Sequence, residues 1–195
     1  ICSLGIPVVS DEIYHGLVYG EREHSALEFT ENVFVLNGFS KLFAMTGWRL
    51  GYIIGPAGYM RRLQILQQNF FISPNSFVQR GGIAALAGEH PEIEEMKRQY
   101  DARRRYLCEE LPRLGLNFSV EPKGAFYFFV NASHVEPDSY RLAFDILDKA
   151  GVAVAPGIDF GEHGEGYVRI SYANSLEAIV EGMRRLAFYL ERRMQ

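Results

Sequence analysis

A buried strand that delivers a lysine constrains this chain more than any other feature. Val33-Phe34-Val35-Leu36 is an apolar run that reads as a buried strand. Lys41 stands just past it, glycines lie on either side at Gly38 and Gly47, and Arg49 follows eight residues after the lysine. A lysine at the end of a buried strand is placed where its amine can lose a proton and act as a nucleophile. An arginine nearby is a natural fork for a phosphate. Lysine, fork and backbone-permissive glycines together point to a covalently held, phosphorylated aldehyde. The competing reading is a surface lysine and an arginine that merely caps a strand, and a bare pair at this spacing favours it.

Composition narrows the setting. The chain has 195 residues, which is one large domain or one and a half. It is 48% hydrophobic with 14 Phe and 11 Tyr, enough to build a sizeable core. A net charge of −4 with scattered Lys and Arg argues against nucleic acid as a partner. Cys2 and Cys108 have no framework spacing, so a reducing, cytoplasmic setting without a disulfide is expected. No run approaches the ~18 apolar residues of a membrane span, and no basic-apolar signal segment opens the chain. Residue 1 is Ile, and the chain opens as if partway through an element, so a piece of a longer protein is expected. No metal site is expected.

Along the chain, Pro7 to Tyr14 reads as a short buried strand ending in the carboxylate of Asp11, with Tyr14 three residues on. His15 is expected to be solvated or to pack. Arg49 to Pro56 reads as a second strand with Arg49 at its start, closed by Gly55-Pro56. Helices are expected over Ala57–Phe70, from Ser73 to near Gly88, and from Pro91 to Pro112 and Gly115. The Arg103-Arg104-Arg105 run reads as a solvated helix face. Strands are then expected at Phe118–Glu121, Gly124–Val130, Val152–Ala155 and Tyr167–Tyr172. A helix from Asp138 to Ala150 is stopped by Gly151. Asn174 and Glu177 read as a capping pair for the last helix. Gly157, Gly161, Gly164 and Gly166 mark a glycine-rich segment, read as a mobile loop because it lacks the strand-to-helix context of a phosphate cradle. Arg169 sits mid-strand, where burial is costly unless an anion meets it. On this element alone, a salt bridge to a protein carboxylate is the simpler expectation.

The stretch Gly38-Phe39-Ser40-Lys41, with Ala44, Met45, Gly47, Arg49, Leu50 and Gly51, resembles the cofactor-attachment signature of class I/II pyridoxal-phosphate-dependent aminotransferases. Asp11 and Tyr14 match the Asp-x-x-Tyr element of that family. Val168-Arg169-Ile170-Ser171-Tyr172-Ala173, after Pro156-Gly157-x-x-Phe160-Gly161, matches a third segment. The resemblance runs from Pro7 to the end and is similar to the C-terminal half of a fold type I enzyme. It implies an α/β fold: residues 1–90 as the rest of the large cofactor-binding domain, 91–113 as a connecting helix, and 114–195 as a C-terminal α/β small domain.

The resemblance also implies roles. Lys41 would hold pyridoxal phosphate, Asp11 would pair with the pyridine nitrogen, Tyr14 would donate to the ring oxygen, Arg49 would hold the phosphate and Arg169 would grip the substrate α-carboxylate. Amino acids and 2-oxo acids are the implied substrates. A homodimer with its active site at the subunit interface is the implied assembly, with the loop Phe70 to Ser76 reaching the neighbour. Three family elements would lie upstream of Asp11: the glycine-rich phosphate loop, the ring-stacking aromatic and an asparagine near the ring oxygen. The fragment alone is therefore expected to be inactive. Many relatives carry a phosphate-contacting serine where this chain has Gly38. A carbon–sulfur lyase with the same machinery, or a non-catalytic regulatory or dimerisation relative, are the alternatives.

Overall fold

The computed structural model describes residues 4–193, so Cys2 lies outside the described residues. The chain divides into two compact units, Ile1–Glu95 and Met96–Gln195.

The first unit is built on a three-stranded sheet in the order β1-β2-β3, formed by β1 (Val8–Asp11), β2 (Val33–Gly38) and β3 (Gly51–Ile54). β1 runs parallel to β2, with Asp11 opposite Leu36. β3 is antiparallel to β2, with Gly38 opposite Gly51. Val33 and Val35 alternate into the core of this unit with Leu17, Tyr19, Phe39 and Val78, as a pleated strand requires. The helices α1 (Ala57–Phe71) and α2 (Ser76–Leu86) follow, and α3 (Pro91–Arg113) begins here and runs across the division. β3 is exposed along its whole length, and α1 buries no residue.

The second unit holds a larger core. Its antiparallel sheet has the order β4-β6-β5, from β4 (Tyr127–Asn131), β5 (Ala155–Pro156) and β6 (Tyr167–Ser171). Two further helices, α4 (Ser139–Ala150) and α5 (Leu176–Arg193), complete it. Phe128, Val130 and Val168 point from one face of the sheet into a cluster with Leu107, Leu111, Leu142, Ile146, Met183, Leu186 and Leu190. Asp138 caps α4 by accepting from the Arg141 N–H at 2.8 Å, and Gly151 ends it at φ +63°.

Several expectations are corrected. Phe118–Glu121 is no strand; a single bridge joins Asn117 to Asn131, and Glu121 turns to Arg104 instead. Arg104 is buried, not solvated: it bonds Asp101 at 2.9 Å, Glu121, and the Pro122 carbonyl at 3.2 Å. β4 begins only at Tyr127 because Ala125 turns at φ +60°. Of Val152–Ala155, only Ala155 pairs. The last helix is capped by Ser175, whose hydroxyl accepts from the Ala178 N–H at 3.2 Å, one residue later than Asn174. The glycine-rich segment is a packed pair of 3-10 turns, Gly157–Phe160 and Glu162–Gly164, with Gly157, Gly164 and Gly166 buried. Among the described residues, no helix is long and apolar enough to cross a membrane.

Candidate active site

In the first unit, topology gathers four of the five candidate residues. Asp11 is the last residue of β1. Lys41 lies just beyond the end of β2, its parallel neighbour. β3 is antiparallel, so Arg49, two residues before its start, stands at that same end of the sheet. Ligands of open α/β sheets bind outside the carboxyl ends of the parallel strands. The Lys41 ammonium nitrogen lies 5.6 Å from the centroid of the Tyr14 ring, the fourth member.

Local structure explains the placement. The Ile13 N–H donates to Asp11 Oδ1 at 3.1 Å, a turn that brings the chain round to Tyr14. Glu12 accepts from the Ser25 hydroxyl at 3.1 Å and the Ala26 N–H at 2.8 Å, pinning the turn from behind. His15 lies between Glu12 and Glu23, at 3.8 and 3.7 Å, and so packs among carboxylates. Gly16, at φ +93°, lets the Leu42 side chain close in; a Cβ there would meet its methyl carbons at 2.6 and 2.7 Å. That contact docks the Asp11–Tyr14 turn against the lysine loop.

The lysine loop holds itself in shape. The Met45 N–H donates to the Phe39 carbonyl at 3.1 Å, and the Thr46 hydroxyl to the Ser40 carbonyl at 3.0 Å. Arg49 does not begin a strand. It adopts the left-handed conformation at φ +54°, closes the 3-10 turn Thr46–Trp48, and donates to the Thr46 carbonyl at 3.0 Å. A non-glycine residue held at positive φ is a common mark of functional sites. At Gly38 a Cβ would stand 2.9 Å from the Leu50 carbonyl oxygen. Glycine here is thus set by the close approach of two strands.

These side chains fit pyridoxal phosphate by chemistry. An amine, a carboxylate and a guanidinium at one sheet end match an aldehyde, a pyridinium and a phosphate. Asp11 and Arg49 are exposed, and Lys41 and Tyr14 are half-buried.

Arg169 belongs to the second unit, mid-way along β6 and opposite Phe129 and Ala155. Among the described residues it makes no ion pair, contrary to the simpler expectation. Its guanidinium carbon instead lies 4.3 Å from the centroid of the Phe160 ring and 5.3 Å from that of Tyr127. Sequence reasoning passed over both rings. Phe160 was legible only as part of Pro-Gly-x-x-Phe-Gly, and Tyr127 only through strand register.

Comparison with known proteins agrees with this reading. The family model for aminotransferase class I and II matches residues 2–186. A (5-formylfuran-3-yl)methyl phosphate transaminase of Methanocaldococcus jannaschii is 42% identical over 189 residues, covering 95% of this chain and 50% of that protein. An aspartate aminotransferase of Pyrococcus horikoshii is 42% identical over 190 residues, covering 95% and 49%. The crystal structure of an aromatic aminotransferase from Pyrococcus horikoshii superposes with a TM-score of 0.92 at 38% identity, covering 99% of this chain and 53% of that one. The chain spans about half the length of the curated relatives it matches. A strand-borne lysine, its aspartate and arginine neighbours at one sheet end and the match over residues 2–186 lead to one conclusion: this chain belongs to the class I and II aminotransferases, with their mixed α/β fold.

Proposed function

We propose that the protein moves an amino group between an L-amino acid and a 2-oxo acid, with pyridoxal phosphate held on Lys41. One observation carries this reading: β1, β2 and β3 deliver Asp11, Lys41 and Arg49 to one end of one sheet. When bound, the cofactor supplies an electron sink for the substrate α-carbon. The chain's own residues do the rest. Lys41 would hold the aldehyde carbon, and its amine, when free, is the base placed to take the substrate α-proton. Asp11 would face the ring nitrogen, where a carboxylate favours the protonated ring. The Tyr14 hydroxyl would donate to the ring oxygen, Arg49 would fork the phosphate, and Arg169 would orient the substrate carboxylate.

Residues 1–90 are assigned to a large cofactor-binding domain, 91–113 to a connecting helix and 114–195 to a small domain. A homodimer is part of the proposal. Its support is the exposed apolar run Phe70, Phe71 and Ile72, at 73%, 72% and 81% exposure. α1 extends to Phe71 and α2 begins at Ser76, so the segment assigned to reach the neighbour's site is the end of a helix and the short link 72–75 rather than a loop from Phe70 to Ser76. Ile72 sits at φ +63°, which is rare for a β-branched residue. A cytoplasmic setting, expected from the cysteine usage, is part of the proposal.

Replacing Lys41 by Ala in the whole protein is expected to abolish transamination, measured as 2-oxo acid formation across a panel of amino donors. Normal rates in that variant would end the reading. Release of pyruvate and ammonia from cystathionine, without amino transfer, would replace it with a lyase.

A further inference from the structure

The second unit carries an arrangement that the proposed roles leave unused. β6 alternates: Val168 points into the core, while Tyr167, Arg169 and Ser171 share the other face. Across the ladder, Tyr127 and Phe129 occupy that same face of β4. Phe129 stacks on Tyr167, with centroids 5.0 Å apart and planes within 7°. It also meets Phe160 edge-on at 5.9 Å. The face is thus an aromatic platform around one guanidinium.

Phe160 reaches Arg169 because the glycine segment folds tightly. A Cβ at Gly157 would lie 2.0 Å from the Gly164 carbonyl oxygen, so the two turns touch backbone to backbone. Ser139 fixes the segment to α4 by accepting from the Ile158 N–H at 3.2 Å, and Glu165 accepts from the Ser139 N–H at 2.6 Å. Two residues beyond that Ile158 anchor, Phe160 is 49% exposed yet held over the arginine. An exposed phenylalanine on a braced loop is not explained by core packing. A ring face attracts a guanidinium without neutralising it, whereas a carboxylate would occupy its donor fork.

We infer that Phe160, with Tyr127, is the positioning residue that holds the Arg169 guanidinium in place while leaving its charge open to a substrate carboxylate. The inference rests on the proposed role of Arg169 and adds the device that presents it.

Two measurements test it. In the 15N-labelled chain, the Arg169 Nε–H resonance, assigned with Arg169→Lys, is expected to be ring-current shifted. It moves toward the ordinary arginine position in Phe160→Leu, where Tyr127 keeps part of the shift, and stays fully shifted in Phe160→Tyr. An unchanged resonance in Phe160→Leu overturns the inference. Should that variant not fold, loss of the shift in Phe160→Tyr overturns it equally.

In the whole protein, Phe160→Leu is expected to raise KM for an amino-acid donor about tenfold with kcat within about twofold, and Phe160→Tyr to restore it. A primary amine lacking a carboxylate should show no such rise. If Arg169→Lys leaves KM for amino acids unchanged, the role of Arg169 itself is wrong. If Arg169→Lys raises KM and Phe160→Leu does not, only the positioning inference falls.

Discussion

At the scale of single residues, the clearest constraint is at Gly38. A serine there, which the resemblance offers, would bring Cβ 2.9 Å from the Leu50 carbonyl oxygen and 3.1 Å from Gly51 Cα. Both are backbone atoms, so β3 itself must move. Gly38→Ser is expected to cost about 1–3 kcal/mol, read as a lower urea midpoint; an unchanged midpoint would show that the strands yield freely. A second residue sets a pH limit. Tyr189 is buried and donates to Asp145 Oδ2 at 2.7 Å. Burial and the Asp145 carboxylate push its phenol up to about 12. Its folded pKa is raised, so its stability contribution is complete below the ordinary phenol value of about 10. That contribution is lost as pH rises through about 12. Denaturation at stepped alkaline pH should show this loss in the native chain and a flatter limb in Tyr189→Phe. Identical limbs would remove Tyr189 as the cause.

At the scale of elements, α2 meets the lysine segment through two glycines. A Cβ at Gly81 would stand 2.5 Å from Trp48 Cζ3, and one at Gly82 2.6 Å from a Leu50 methyl carbon. Gly81→Ala gains helix propensity, about 1 kcal/mol, but drives the indole outward. Trp48 is the sole tryptophan, and its emission is expected to shift to the red; an unchanged spectrum would mean that the helix shifts instead. Elements with local punctuation were legible in advance: α4 between Asp138 and Gly151, and α3 opening at Pro91. Elements defined by a partner were not. Phe118–Glu121 has strand-like composition, yet Glu121 is claimed by Arg104. Val152–Val154 likewise reads as a strand, but the ladder reaches only Ala155 and Pro156.

At the scale of the whole molecule, the two units differ in how completely they bury apolar surface. The second has one large core cluster, whereas the first leaves α1 and β3 exposed. Extended exposed apolar surface marks an interaction face. The candidate site shares that openness, since Asp11 and Arg49 are both exposed. Charges in water hold a charged ligand weakly. Added pyridoxal phosphate is therefore expected to give no stable, stoichiometric adduct with this chain alone, checked by absorbance and by mass spectrometry after borohydride reduction; a one-to-one Lys41 adduct with turnover would refute this.

The lysine signature, the aspartate and tyrosine three residues apart, and the family are legible along the chain, because each is written in short contiguous segments. Strand pairing, parallel on one side of β2 and antiparallel on the other, is what brings Asp11, Lys41 and Arg49 to one sheet end. Packing between distant segments likewise sets Gly38 against a crossing backbone and turns Arg169 to rings rather than to a carboxylate. Those outcomes depend on register between strands far apart in the chain, where a slip of one residue turns every side chain to the opposite face.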